Sequence, residues 1–162
     1  MTAEYVRPNL PPKRRKSTAK PVTPEQLAKS GTEDGEQTAL FCHAAEAAKT
    51  DYRWGLLYAI PNGGKRGVAT AARMVATGTR TGFPDVGLAV AQPFVASLAT
   101  RYHGLFIELK RLAHLGKPAG RVDDAQKYWH EALRGQGYRV EVCYGWEHAR
   151  DTIQAYLDGC NS

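Results

Sequence analysis

Residues 103–110 read His-Gly-Leu-Phe-Ile-Glu-Leu-Lys (HGLFIELK). The run is short, apolar and closed by a loop-like segment, so it reads as a buried strand. Strand side chains alternate faces, so Leu105, Ile107 and Leu109 point one way and Phe106, Glu108 and Lys110 the other. An acid and an amine therefore stand side by side near the end of an otherwise apolar strand. Burying both is costly unless they are paired or bound to a metal.

The flanking sequence sets the architecture. Downstream, Leu112 to Arg121 is a loop with two glycines and a proline. Asp123 is suited to cap a helix through about Arg134, whose inward residues are Ala125, Trp129 and Leu133. Gly135 and Gly137 end it. Tyr138 to Tyr144 (YRVEVCY) alternates as a strand, and Trp146 to Leu157 forms an amphipathic helix. Upstream, Asp85 to Ala91 (DVGLAVA) is a strand beginning at the aspartate, preceded by the loop Gly78–Pro84 and an alanine-rich helix over Val68–Ala76. Trp54 to Ile60 (WGLLYAI) reads as a buried strand closed by Pro61-Asn62-Gly63-Gly64. A first helix starts at Thr32, with Glu33, Asp34 and Glu36 in the turn where the helix dipole favours negative charge. Its apolar stripe is Leu40, Phe41, Ala44, Ala45 and Ala48.

The second and third strands can pair as a hairpin. The third and fourth, joined through a helix, should be parallel. The expected fold class is α/β: a single domain with a mixed central β-sheet flanked by helices.

Length and composition agree. The 162 residues suffice for one domain, with 43% hydrophobic and 23% charged residues as in ordinary globular chains. No apolar run approaches the roughly 20 residues of a membrane span. The start, Met1-Thr2-Ala3-Glu4-Tyr5, leads to no apolar segment, so no secretory signal is expected. The three cysteines, Cys42, Cys143 and Cys160, have no zinc-ligand spacing and suit a reducing cytoplasm. Of the net charge of +6, residues 1–30 supply +5, from seven basic and two acidic groups. Residues 1–24, with prolines at 8, 11, 12, 21 and 24, read as a disordered basic arm ahead of a folded domain over 25–162. Lys13-Arg14-Arg15-Lys16 in that arm suits nonspecific phosphate contact.

The hairpin brings Asp85 towards Glu108. Two carboxylates and a lysine at one sheet edge suit Mg²⁺, with Mn²⁺ as a substitute, because magnesium takes one or two carboxylates and completes its shell with water and phosphate oxygens. Lys110 would orient a water or stabilise charge on the phosphorus under attack. Glu33 could reach the same ion. Asn62, Gly63, Gly64, Lys65 and Arg66 form a turn opening a helix, a phosphate cradle or a plain turn. Arg73, Arg80 and Lys117 are candidates for a nucleic-acid groove. His103, His130 and His148 have no mutual metal-ligand spacing; only His103 lies near enough in sequence to support the strand's site.

The ordered set Glu33 with Gln37, IPNGG at 60–64, GFPD at 82–85, YHGLFIELK at 102–110, Gln126 in AQKYW and GYRVEV at 137–142 resembles the VRR-NUC family of PD-(D/E)xK nucleases. The resemblance spans roughly residues 32–158 and implies a restriction-endonuclease-like core. It implies that Asp85, Glu108 and the backbone carbonyl of Leu109 are metal ligands, that Lys110 is the catalytic lysine, and that Glu33, with Glu36 as rival, matches the first-helix glutamate. Gln126 matches the glutamine facing the site. One departure is Asp123-Asp124 where the family often has Ser-Pro; two negative charges there would weaken nearby phosphate affinity. The resemblance further implies an Mg²⁺-dependent DNA endonuclease, structure-selective like a Holliday-junction resolvase, acting as a homodimer on branched DNA in a bacterial or phage-infected cytoplasm and needing no membrane. The alternatives are a non-cleaving DNA-binding module and a nuclease for other nucleic acids.

Overall fold

The computed structural model describes residues 22–61, 73–93, 100–113 and 118–159. Its four-stranded sheet runs β1 (Leu57–Ala59), β2 (Val86–Leu88), β5 (Leu105–Lys110), β6 (Arg139–Tyr144) in spatial order. β1–β2 and β2–β5 are antiparallel, and β5–β6 is parallel. The parallel crossover is α3 (Asp124–Gly135), and α4 (Gly145–Asp158) follows β6. Helix α2 (Glu33–Ala47) starts at Thr32, whose side chain accepts the Gly35 N–H. The mixed α/β sheet with flanking helices is the architecture expected from the sequence.

The core lies on one face of this sheet. Leu105, Ile107 and Leu109 of β5, with Val86 and Leu88 of β2, pack against Ala39, Leu40 and Ala44 of α2 and Ile153, Tyr156 and Leu157 of α4. Each valine, leucine and isoleucine among them contributes about 1.5–3 kcal/mol of transfer free energy on burial. Cys143 is buried and its thiol is raised to about 11, chiefly by burial, so it is inert packing.

Several local expectations are corrected. Trp54–Ile60 is not one strand: Tyr52–Leu56 is a 3-10 turn and only Leu57–Ala59 is extended. Asp51 accepts the Arg53 N–H at 3.0 Å, and this local bond overrides the apolar pattern. The strand read over 85–91 is confined to Val86–Leu88, so Asp85 precedes it rather than starting it. The third strand begins at Leu105, not His103. Between β2 and β5 the chain makes an unexpected second sheet, β3 (Gln92–Pro93) with β4 (Thr100–Tyr102). Gln92 donates to the Tyr156 carbonyl at 3.1 Å, and the Tyr156 hydroxyl donates to the Val90 carbonyl at 2.8 Å, which pins this excursion to α4. Pro24, read as a breaker, occupies the first turn of a short helix, α1 (Pro24–Ala28), where its missing N–H costs nothing. The arm over residues 1–21 and the helix read over 68–72 lie outside the described residues; residues 73–76 are helical.

Candidate active site

The site forms where β5 ends. Glu108 is fully buried and Lys110 nearly so, on the sheet face opposite the core. Lys110 Nζ donates to Glu108 Oε1 at 2.6 Å. Asp85 arrives from the β2 side. Its Oδ2 accepts the Leu109 N–H at 2.9 Å, and its carbonyl accepts the Ile60 N–H at 2.8 Å, so both neighbouring strands hold it. The loop before it is fastened to α3. Trp129 Nε1 donates to the Thr81 carbonyl at 3.1 Å, and the Phe83 ring packs edge-on against Trp129 and Phe106. Gly82 sits at φ +80, and a Cβ there would lie 2.7 Å from the Ala125 carbonyl carbon. Only glycine permits that close approach.

Helix α3 supplies Gln126. The Asp123 carboxylate accepts the Gln126 N–H at 2.9 Å, and Gln126 Oε1 accepts the Asp123 N–H at 3.0 Å, a reciprocal capping box. With its oxygen so engaged, the Gln126 amide turns its Nε2 to Glu108 Oε1 and donates to it. The cap foreseen at Asp123 thus also orients the glutamine. Asp124 forms an exposed pair with Lys127 at 2.8 Å.

Helix α2 supplies Glu33. It lines the cleft together with Asp34, Gln37, Asp85, Glu108, Leu109, Lys110, Asp123 and Gln126, around a volume of about 500 Å³. Glu36 does not line that cleft. Its Oε2 accepts the Trp146 N–H at 2.9 Å and satisfies the start of α4, which has no side-chain cap of its own. Gly120 packs against two cleft residues: a Cβ there would lie 3.0 Å from both Glu33 Oε1 and Lys110 Cδ.

Asn62, Gly63, Gly64, Lys65, Arg66 and Lys117 lie outside the described residues. Arg73 is exposed, and Arg80 lines a separate depression with Ile60, Pro61 and Phe83, so neither is among the cleft's lining residues. His103 precedes the start of β5 and packs beside Gly137 and Tyr138, at the other end of the strand from Glu108, so it does not reach the site. Trp54 and Trp146 are buried in the core, whereas Trp129, expected to face inward, is half-buried and Ala125 is exposed.

The electrostatics are strained by design of position. Burial, then the Asp85 charge, pushes the Glu108 carboxyl up to about 7 against the pull of Lys110. Burial alone would lower Lys110, but its hydrogen bond to Glu108 and the charges of Glu108, Glu33 and Asp85 outweigh that and raise it. Lys110 is therefore an ammonium at neutral pH, not a base. Burial, reinforced by Arg134 and Lys110, lowers His130. A buried ion pair such as Glu108–Lys110 rarely adds net stability compared with apolar packing.

The donor set fits a hard divalent cation. Five carboxylates and a single ammonium line the cleft among the described residues. Glu108 Oε2 is buried with no hydrogen-bond partner among the described residues. No group of three or more His, Cys, Asp and Glu side chains converges as a ready metal cage among the described residues.

The model of the VRR-NUC domain matches residues 60–147, more than half of the chain. This chain belongs to the VRR-NUC family. A solved structure described as a VRR_NUC domain protein shares its fold, with a TM-score of 0.59, at 24% identity, covering 78% of this chain and 88% of the other. No curated protein matches the chain. Family membership implies a nuclease-type function and hence contact with nucleic acid. No helix among the described residues is long and apolar enough to cross a membrane.

Proposed function

We propose that this VRR-NUC chain is an Mg²⁺-dependent DNA endonuclease that hydrolyses phosphodiester bonds without a covalent intermediate. The observation that carries the reading is the meeting of Asp85, Glu108 and Lys110 at one strand end inside an acidic cleft. A phosphodiester would be repelled by that cleft unless cations accompanied it. Asp85 and Glu108, with Glu33 and the Leu109 carbonyl as further candidates, would hold the ion. When bound, it would lower the pKa of a coordinated water and neutralise charge on the phosphate.

The remaining work falls to the chain's own residues. Asp85 is immobilised by the Leu109 N–H and Glu108 by Gln126 and Lys110, so the carboxylates are set before any ligand arrives. The Lys110 ammonium would stabilise negative charge developing on a phosphate bound in the cleft. Branched DNA as substrate and a homodimer as the working unit extend the proposal by family resemblance. Asn62 to Arg66, Arg73 and Arg80 are proposed phosphate contacts.

The test is incubation with labelled four-way junction, flap and linear duplex in Mg²⁺, Mn²⁺ or EDTA. Metal-dependent cutting that Asp85→Ala removes, with folding intact, supports the reading. Tight binding without cutting in either metal overturns it in favour of a non-cleaving DNA-binding module. Equal cutting of all three substrates removes the structure selectivity alone.

A further inference from the structure

Helix α3 places two side chains one turn apart, Gln126 and His130, on the face turned to β5. Gln126 donates to Glu108 Oε1, the oxygen that also accepts from Lys110. His130 is buried, with 4% of its surface exposed, and its Nε2 lies 3.6 Å from Glu108 Oε2. Neither of these two atoms has a hydrogen-bond partner among the described residues. A buried polar atom left unpaired costs about 1–3 kcal/mol, and here two such atoms face each other.

An ionised carboxylate offers about four lone-pair sites. Lys110 and Gln126 occupy those of Oε1. Oε2 retains two, enough for one N–H donor and one cation. The separation exceeds an ordinary N–H···O bond by roughly half an ångström, so a small rotation of either side chain closes it.

We propose that His130 is a positioning residue for Glu108, donating Nε2–H to Oε2 and fixing the carboxylate so that its last lone pair is presented to the divalent cation. The inference rests on the metal-dependent reading above. Helix α3 would then clamp both oxygens of the ligand from one face. The sequence hid this role, because His130 has no ligand-like spacing to any other histidine.

The experiment is a calorimetric titration of the full chain with Mn²⁺ in the absence of DNA, with thermal unfolding of each variant. His130→Leu fills the space without a donor and is expected to weaken Mn²⁺ binding by about 10–100-fold. Its melting temperature is read alongside, so that lost Mn²⁺ affinity in a folded variant is separated from lost folding. His130→Gln places a donor near the original Nε2 and restores most of the affinity. His130→Asn, whose amide reaches only as far as Nδ1, does not. Should the leucine variant fail to fold, the glutamine–asparagine difference decides the matter. Mn²⁺ binding unchanged in His130→Leu, or equal in the glutamine and asparagine variants, overturns the inference and leaves the nuclease reading standing. An unaltered protein that binds no Mn²⁺ overturns both.

Discussion

The two faces of β5 make opposite use of the same six buried residues. On one face Leu105, Ile107 and Leu109 join the apolar core under α2 and α4. On the other, Glu108 and Lys110 are buried to a similar extent yet form an ion pair beneath α3. The first face gains free energy from every contact. The second has charges taken out of water, a carboxyl shifted to about 7 and, with His130, two polar atoms that lack a partner among the described residues. Stability alone does not explain the second arrangement, because apolar residues would serve as well there. The contrast separates what holds the strand in place from what the strand presents, and each half can be perturbed without the other.

The largest effect should come from the core face. Ile107→Ala is expected to cost about 2–5 kcal/mol, read as a lowered denaturant midpoint. Loss of activity should follow only where unfolding is populated. Lys110→Ala, one residue past Leu109 on the other face, should do the reverse. Cleavage should fall by about 10²–10³-fold through loss of a charge-stabilising donor, while the unfolding midpoint changes little at pH 5, where a carboxyl shifted to about 7 is protonated and no buried charge is left unpaired. If the two substitutions proved alike in both assays, the division between the faces would collapse.

Titration sharpens the comparison. A carboxyl at about 7 in the folded chain and near 4.5 when unfolded binds its proton more tightly when folded. Its contribution is therefore fully present below about pH 4.5 and is lost as pH rises to about 7. The size is at most about 3 kcal/mol by linkage. Denaturant midpoints at pH 5 and pH 8 in EDTA should show this fall in the unaltered protein and not in Glu108→Gln. An identical pH slope in both would remove Glu108 as its source.

Smaller effects test how the chemical face is supported. Asp123→Ala removes the cap of α3 and should cost about 0.5–2 kcal/mol, most of it recovered by Asp123→Asn. Because the same box orients Gln126, cleavage should fall in the alanine variant even at temperatures where it is folded. Removal of residues 1–21, with six basic groups, should leave the single-turnover rate at saturating protein unchanged. DNA affinity at low salt should drop, and each lost phosphate contact should flatten the salt slope by about 0.9. An unchanged slope would exclude the arm from binding.

The alternation of HGLFIELK was enough to divide the strand into an apolar and a charged face, since a period of two leaves no other outcome for an extended chain. Caps at Thr32 and Asp123, the antiparallel and parallel pairings of β5, and the approach of Asp85 to Glu108 followed from local chemistry and chain connectivity. Other features depended on partners distant in sequence. Glu33 and Glu36 are equivalent as letters, but only the packing of α2 turns the first into the cleft and gives the second to the N–H of Trp146. The pairing of β3 with β4, the glycine at 120 pressed against Lys110, and His130 facing Glu108 arise because separate segments converge in space. Sequence periodicity fixes which side of its own element a residue occupies; what it meets there is decided by the packing of the elements against one another.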